Sequence, residues 1–115
     1  MLDGPQITIL TLPEWQTWLT ENATVETEIW TVILKKSTKR QQVEYMDLLI
    51  EALCWGWVDV KTKRVDDDWY GIRFVPRRPK SSWTPGNREI ACQLIAEGRM
   101  QPPGFDKLPA DLTCP

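Results

Sequence analysis

The sequence predicts a small single domain of the α+β class, with a three-stranded, mainly antiparallel sheet packed against about three helices. Its 115 residues suit one domain, since a chain of this length can bury enough surface for one core. Segments with helical spacing of apolar residues also alternate with segments of period two. We therefore treat residues 1–115 as one domain, with 1–27 as an N-terminal helical segment, and leave the strand order open.

The predicted helices begin at local sequence signals. Thr11 and Glu14 have the spacing of a capping box, and Thr84 followed by Pro85 is typical of an N-cap and a first helical residue. A third segment places apolar side chains along one helical stripe and acidic side chains opposite. The predicted helices cover residues 12–22, 42–54 and 85–97.

Three other segments have the composition of strands. The first is rich in β-branched and aromatic residues on both faces, which indicates a central strand. The next two alternate apolar and polar residues and flank the aspartates at 66–68, which predicts an antiparallel hairpin with a solvated turn. The predicted strands cover residues 28–36, 57–64 and 69–75. The proline-rich tail after Met100 is expected to be mostly extended.

Histidine is absent from the chain, which limits the chemistry that one subunit can perform. A Ser-His-Asp or Cys-His site and any imidazole metal site are excluded. The aspartates at 66–68 lack the alternating ligands of a calcium loop. We therefore predict no metal site and no cofactor.

The cysteines Cys54, Cys92 and Cys114 are odd in number and have no CxxC spacing, so the sequence indicates neither a disulfide framework nor a zinc knuckle. We expect reduced thiols. No apolar run approaches the ~20 residues that span a bilayer, and no export signal is recognisable, so the expected location is cytoplasmic.

Charge is segregated along the chain. Residues 1–34 carry five acidic and no basic side chains, whereas residues 61–88 carry eight basic and three acidic ones. Such segregation can steer an anionic partner to one face of the protein. The net charge of −2 makes nucleic acid a less favoured partner than another anionic ligand or a protein. The oligomeric state is left open.

The loop that precedes the last predicted helix is the main candidate site. Guanidinium and ammonium groups beside the amides of a helix N-terminus can bind phosphate or carboxylate. The candidate anion-binding residues are Arg77, Arg78, Lys80, Ser81, Trp83, Thr84 and Asn87. In the alternative interpretation, Arg77 or Arg78 pairs with the acidic helix face or with Asp59, and Ser81 only satisfies loop amides.

Aromatic and polar side chains near this loop are candidates for a pocket. Tryptophan rings beside arginine can stack on planar ligands, although most such rings belong to a core. Asp59 and Arg73 could form a cross-strand ion pair instead of a site, and Cys54 could be a buried core thiol instead of a nucleophile. The pocket candidates are Cys54, Trp55, Trp57, Asp59 and Arg73.

Four blocks of sequence, ALCWGWVD, RFVPRRPKSSWTPGN, AEGRM and PPG, give the chain a resemblance to a known family. With them the chain resembles the YdeI/OmpD-associated family of bacteriocin-protection proteins, over about residues 30–108. This resemblance implies a role in tolerance of antimicrobial peptides or bacteriocins and an association with an outer-membrane porin. It implies no particular reaction, substrate or cofactor.

The expected function is therefore that of a non-enzymatic binding protein that recognises an anionic group through the arginine-rich loop. Two alternatives stay open. One is an enzyme that uses Asp59 or Cys54 in a tryptophan-lined pocket. The other is a protein-interaction scaffold whose contacts are exposed tryptophans and which has no small ligand.

Overall fold

The structure, a computed structural model, describes residues 2–78 and 83–115. Strands and helices alternate along the first half of the chain, and a hairpin and two further helices follow. The elements are β1 (Gln6–Thr8), α1 (Leu12–Asn22), β2 (Ile29–Leu34), a 3₁₀ turn (Lys36–Thr38), α2 (Tyr45–Cys54), β3 (Trp57–Arg64), β4 (Trp69–Pro76), α3 (Pro85–Ala96) and α4 (Pro102–Phe105).

The sheet has four strands in the order β1-β2-β4-β3. β2 and β3 both pair antiparallel with β4, as expected for the hairpin, while β1 runs parallel to β2. The α+β class is confirmed, but the predicted three-stranded sheet is wrong because β1 completes a mixed sheet. β1 has only three residues, so no local periodicity marks it, and its pairing with β2 creates it.

The helix-start signals have the geometry that the sequence predicts. The backbone amide of Thr11 donates to Glu14 Oε1 at 3.0 Å, and the amide of Asn87 donates to Thr84 Oγ1 at 3.1 Å. α2 begins at Tyr45 instead of residue 42, because Glu44 is its N-cap. The tail is not wholly extended, since α4 forms within it.

The main core lies between one face of the sheet and helices α1 and α2. Indole N–H groups tie it together: Trp15 Nε1 donates to the Leu48 carbonyl and Trp57 Nε1 to the Ala23 carbonyl, each at 3.0 Å. The cluster contains Ile9, Trp15, Leu19, Ala23, Ile29, Ile33, Val43, Leu48, Ala52, Trp57, Ile72 and Phe74.

A second, smaller cluster joins the end of α2 to α3 and α4. It consists of Leu53, Cys54, Ala91, Leu94 and Met100. Gly104 of α4 makes this packing possible, because a Cβ there would collide with the Cys54 carbonyl oxygen. The Gln101 amide donates to that same carbonyl at 2.9 Å, which fixes α4 against the end of α2.

The opposite face of the sheet is covered only in part. Leu2 packs beside Gly71 and Trp30, and Trp30 Nε1 donates to the Asp3 carbonyl at 3.1 Å, so the N-terminal residues close this face over β2. Side chains on the same face of β3 and β4 remain accessible. The fold therefore presents one open sheet surface.

Candidate functional site

Arg77, the first cation of the predicted anion-binding loop, is buried. The residue is 4% exposed, and its guanidinium carbon lies 4.1 Å from the centroid of the Trp83 ring. Burial lowers the pKa of Arg77, while the nearby negative charge of Asp59 acts to raise it. The guanidinium thus faces the protein interior, as in the interpretation that pairs Arg77 with Asp59.

The remaining loop candidates are dispersed. Arg78 is exposed, Trp83 is partly buried against Arg77, and Thr84 caps α3. Lys80 and Ser81 lie outside the described residues.

The N-terminus of α3 offers little to an anion. Pro85 has no N–H, the Asn87 amide bonds Thr84 Oγ1, and the Arg88 amide donates to the Thr84 carbonyl at 3.0 Å. Asn87 lines a small cavity together with Asp59 and Arg77. Of the predicted loop residues within 2–78 and 83–115, Arg77 and Asn87 thus border an internal cavity, whereas Arg78 is exposed and Thr84 caps α3, so these residues do not converge on one external point.

The Asp59 side chain lies on the helix side of the sheet, where it accepts a hydrogen bond from another side chain. The Tyr45 hydroxyl donates to its carboxylate, and burial together with this hydrogen bond raises the pKa of Tyr45 above its ordinary value. The adjoining cavity has a volume of about 40 Å³. That space suits a water molecule and is too small for an organic substrate.

Asp59 and Arg73 do not form the cross-strand pair that the sequence allowed. Asp59 pairs with Phe74 and Lys61 with Arg73, so Val60 is an extra residue in β3. This irregularity leaves Asp59 facing the helices while Arg73 lies on the open face. Arg73 instead donates to Glu28 Oε2, from Nε at 3.2 Å and from Nη2 at 2.6 Å.

Cys54 lies in the second core cluster and is 2% exposed. Burial, reinforced by the charge of Glu51, raises the pKa of its thiol to about 11. A thiol held in its protonated form is a poor nucleophile, so the geometry matches a core role.

The tryptophans that were candidates for a pocket pack within the protein. Trp57 is fully buried, Trp55 packs between the two clusters, and Trp69 is partly buried in β4. All seven tryptophans of the chain are buried or partly buried.

Cations on the open side of β3 and β4 form an accessible charged surface near the predicted site. Lys61 lies directly across from Arg73, and Lys63 across from Gly71. Arg78 and Arg73 border a depression of about 540 Å³ with an apolar floor. We call this surface the cationic face; it comprises Thr27, Val58, Val60, Lys61, Lys63, Arg73, Val75, Pro76 and Arg78.

The expectation of reduced thiols is wrong for two of the three cysteines. Cys92 and Cys114 form a disulfide, with their Cα atoms 5.4 Å apart, and Cys54 is free. The 22-residue separation gave no indication of this bond. Tertiary structure creates it by returning the C-terminal residues alongside α3.

Sequence reasoning also missed a partly buried ion pair. Arg99 donates to Glu51 Oε1, and Gln16 Nε2 donates to the same oxygen at 3.1 Å. The Glu51 side chain is 9% exposed. Its position on the acidic stripe of α2 concealed this role, since such residues are expected to be solvated.

Within residues 2–78 and 83–115, no group of three or more Cys, Asp and Glu side chains could hold a metal ion. None of the helices in these ranges has the length and apolar composition needed to cross a membrane.

Residues 7–107 match the family described as a domain of unknown function (DUF8412), so the chain belongs to that family. The resemblance to the YdeI/OmpD-associated family is therefore wrong. The blocks that carried it include Gly56, whose φ is positive, and Arg77, which is buried against Trp83. No curated protein and no solved structure matches the chain.

Proposed function

We propose that this member of the DUF8412 family is a non-enzymatic binding protein that docks an acidic, partly apolar segment of a partner protein on its cationic face. The observation that carries the proposal is the depression of about 540 Å³ in which Arg73 and Arg78 stand beside an apolar floor. We keep the expectation that the protein recognises an anionic group, but place the binding site on the sheet instead of in the loop.

Unpaired charge supports an anionic partner. Within residues 2–78 and 83–115, neither Lys61 nor Arg78 has an ion-pair partner, and both are exposed. An incoming carboxylate therefore does not need to displace an existing bond to reach them.

Glu28 orients the guanidinium of Arg73, which lies beside these two cations. The carboxylate accepts from two nitrogens of this group, and the Arg73 side chain remains 34% exposed. A guanidinium oriented in this way can give its remaining N–H groups to a second carboxylate with little loss of side-chain entropy.

The apolar floor favours a protein segment over an inorganic anion. Val58 and Val75 are cross-strand neighbours, and Val60 is 49% exposed beside them. Apolar side chains of a peptide would bury this surface, whereas phosphate or sulfate would leave it in water.

Nucleic acid fits this face less well. The net charge of −2 opposes binding to a polyanion. Of the two indole rings that strand alternation places on this side, Trp30 is 2% exposed beside Leu2, and Trp69 is only partly exposed for stacking on bases. An enzyme fits less well too, because the cavity beside Asp59 is only about 40 Å³.

The test is an NMR titration of ¹⁵N-labelled protein with a synthetic peptide of alternating glutamate and valine. Amide shifts should change at Val58, Val60 and Val75 and diminish as salt increases. The charge-reversal variant Lys61→Glu/Arg78→Glu should abolish these changes. The matched control, Lys36→Glu/Lys39→Glu, reverses two exposed cations elsewhere and should retain them.

Shifts that persist in the Lys61→Glu/Arg78→Glu variant would refute the proposal. It would equally fail if single-stranded oligonucleotides bound this face and the acidic peptide did not. Circular dichroism of each variant checks that loss of binding is not loss of fold.

A further inference from the structure

The C-terminal tail, residues 109–115, runs back along α3 and encloses a groove of about 780 Å³ with it. α3 contributes Arg88, Cys92 and Ile95, which recur at helical spacing on one side. Leu112 and Cys114 contribute from the tail. The disulfide between Cys92 and Cys114 crosses this groove and ties the two walls together.

Other ties between the tail and α3 are weak. Arg88 Nη2 lies 3.2 Å from Asp111 Oδ1, but the Asp111 side chain is 77% exposed, and such surface ion pairs contribute little. From residue 110 to the end of the chain, only Leu112 is partly buried. The disulfide is therefore the main restraint on the tail.

The smaller core cluster does not depend on this restraint. The cluster between α2, α3 and α4 is complete with Leu53, Cys54, Ala91, Leu94 and Met100, and Leu108 is the last residue packed against it. Release of residues 109–115 therefore leaves the described core intact.

Cys114 is exposed, whereas Cys92 is partly buried. The exposed Cys114 side of the disulfide is accessible to an external thiol, and exposed disulfides are among those that exchange readily. We propose that Cys92 and Cys114 form a thiol–disulfide exchange site whose reduction by a dithiol releases the C-terminal tail and opens the outer side of α3.

The exchange balances as follows. A thiolate of the dithiol attacks Cys114 Sγ, forming a mixed disulfide and expelling Cys92 as a thiolate, which takes up a proton. The second thiol of the reductant then attacks the reductant-derived sulfur of the mixed disulfide, which closes the reductant's own disulfide and releases Cys114 as a thiolate that takes up a proton. Two electrons and two protons pass to the protein, which gains two thiols, and the dithiol becomes a disulfide.

Release of the tail has a structural consequence at α3. Ile95 and Leu112 both line the groove and are both partly buried. When the tail leaves, the side of α3 that carries Ile95 loses its outer wall. The oxidation state of one bond thereby decides whether this surface is covered.

The experiment compares deuterium uptake of the full chain in oxidised dithiothreitol and in reduced dithiothreitol, without denaturant. After this treatment each sample is denatured, and alkylation followed by mass spectrometry counts its free thiols, so that the buried Cys54 is labelled as well. We expect one free thiol, Cys54, in the oxidised chain and three in the reduced chain. Exchange in residues 109–115 should be at least about tenfold faster after reduction, with the sheet unchanged.

The variant Cys114→Ser should show the fast exchange in both buffers, and Cys92→Ser should behave alike. Cys54→Ala is the control, because it removes the free thiol and should leave the redox response of the tail intact.

Three results would overturn the proposal. The first is a bond that dithiothreitol reduces only after denaturation. The second is a tail whose exchange is the same in both states. The third is faster exchange throughout the sheet on reduction, since the bond would then stabilise the whole fold.

Discussion

Arg77 stacks on Trp83, with its guanidinium carbon 4.1 Å from the ring centroid, and this contact joins the end of β4 to the start of α3. The Arg77 amide also donates to the Gly56 carbonyl at 2.8 Å. A residue with these contacts stabilises the junction of three elements.

Replacing Arg77 should therefore destabilise the protein. We expect Arg77→Ala to lower the free energy of unfolding by about 2 to 3 kcal/mol, because it removes a buried cation beside Asp59 and the stacking on Trp83. Arg77→Lys should restore only part of this, since an ammonium cannot stack as a plane. Urea denaturation followed by tryptophan fluorescence measures both.

Arg78→Ala is the matched control, because Arg78 is adjacent in sequence and exposed. Its effect should stay within about 0.5 kcal/mol. Equal losses for the two alanine variants would contradict a structural role specific to Arg77.

The Glu51–Arg99 pair should be coupled energetically. Arg99→Ala leaves the Glu51 carboxylate, 9% exposed, with Gln16 as its remaining donor, and we expect a loss of about 2 kcal/mol. Glu51→Ala should cost less, because Arg99 is 43% exposed and can be solvated. A double-mutant cycle should give a coupling energy of about 1 kcal/mol, and additive effects would disprove direct coupling.

Cys54 should make the stability of the protein fall at high pH. Its thiol has a pKa of about 11 in the folded chain, above the ordinary value of 9.0. The contribution is therefore complete below pH 9 and is lost as the pH rises toward 11, because the unfolded chain releases the proton first.

Thermal unfolding of the wild type and Cys54→Ala between pH 7 and pH 11 tests this expectation. The variant should be less stable at neutral pH, because it leaves a small cavity, and should show a flatter decline above pH 9. Parallel declines of the two proteins would assign the effect to other groups.

Asp66 should have the opposite pH dependence. Its carboxylate accepts from the amides of Asp68 at 2.8 Å and Trp69 at 3.0 Å, and these bonds lower its pKa below 3.8. Stability from this turn is present above that value and is lost as the pH falls through the lowered pKa.

Asp66→Ala should lower the melting temperature at pH 7 and abolish this acid-dependent part, whereas Asp66→Asn should retain an acceptor and lose less. Calorimetry at pH 7 and near pH 3 provides the comparison. If alanine and asparagine had the same effect, the side-chain acceptor would not be the stabilising feature.

Local chemistry explains which elements the sequence could predict. The helix start at Thr84 depends on one hydroxyl and the amide of Asn87, three residues away, and the bounds of β3 follow from alternation within eight residues. Such interactions involve only residues that are close together in the chain. The first helix and the hairpin were accordingly placed within one residue of their observed ends.

Position relative to the sheet could not be predicted in the same way. The sequence pattern suggested a pair between Asp59 and Arg73. The extra residue Val60 shifts the register between β3 and β4 and places these two side chains on opposite faces of the sheet. The sequence also left open whether Arg77 binds a ligand or is held within the protein, and its burial against Trp83 depends on how the end of β4 packs beside the start of α3. A one-residue irregularity or a long-range contact leaves no periodic signal.

By itself, the sequence determined the α+β class, three helices, the hairpin and the absence of imidazole chemistry, because these follow from composition and from contacts between near neighbours. Only the tertiary structure decided the parallel pairing of β1, the burial of Arg77, the Cys92–Cys114 bond and the location of the cationic face. Each of these joins residues far apart in the chain, and their proximity depends on how the whole core packs.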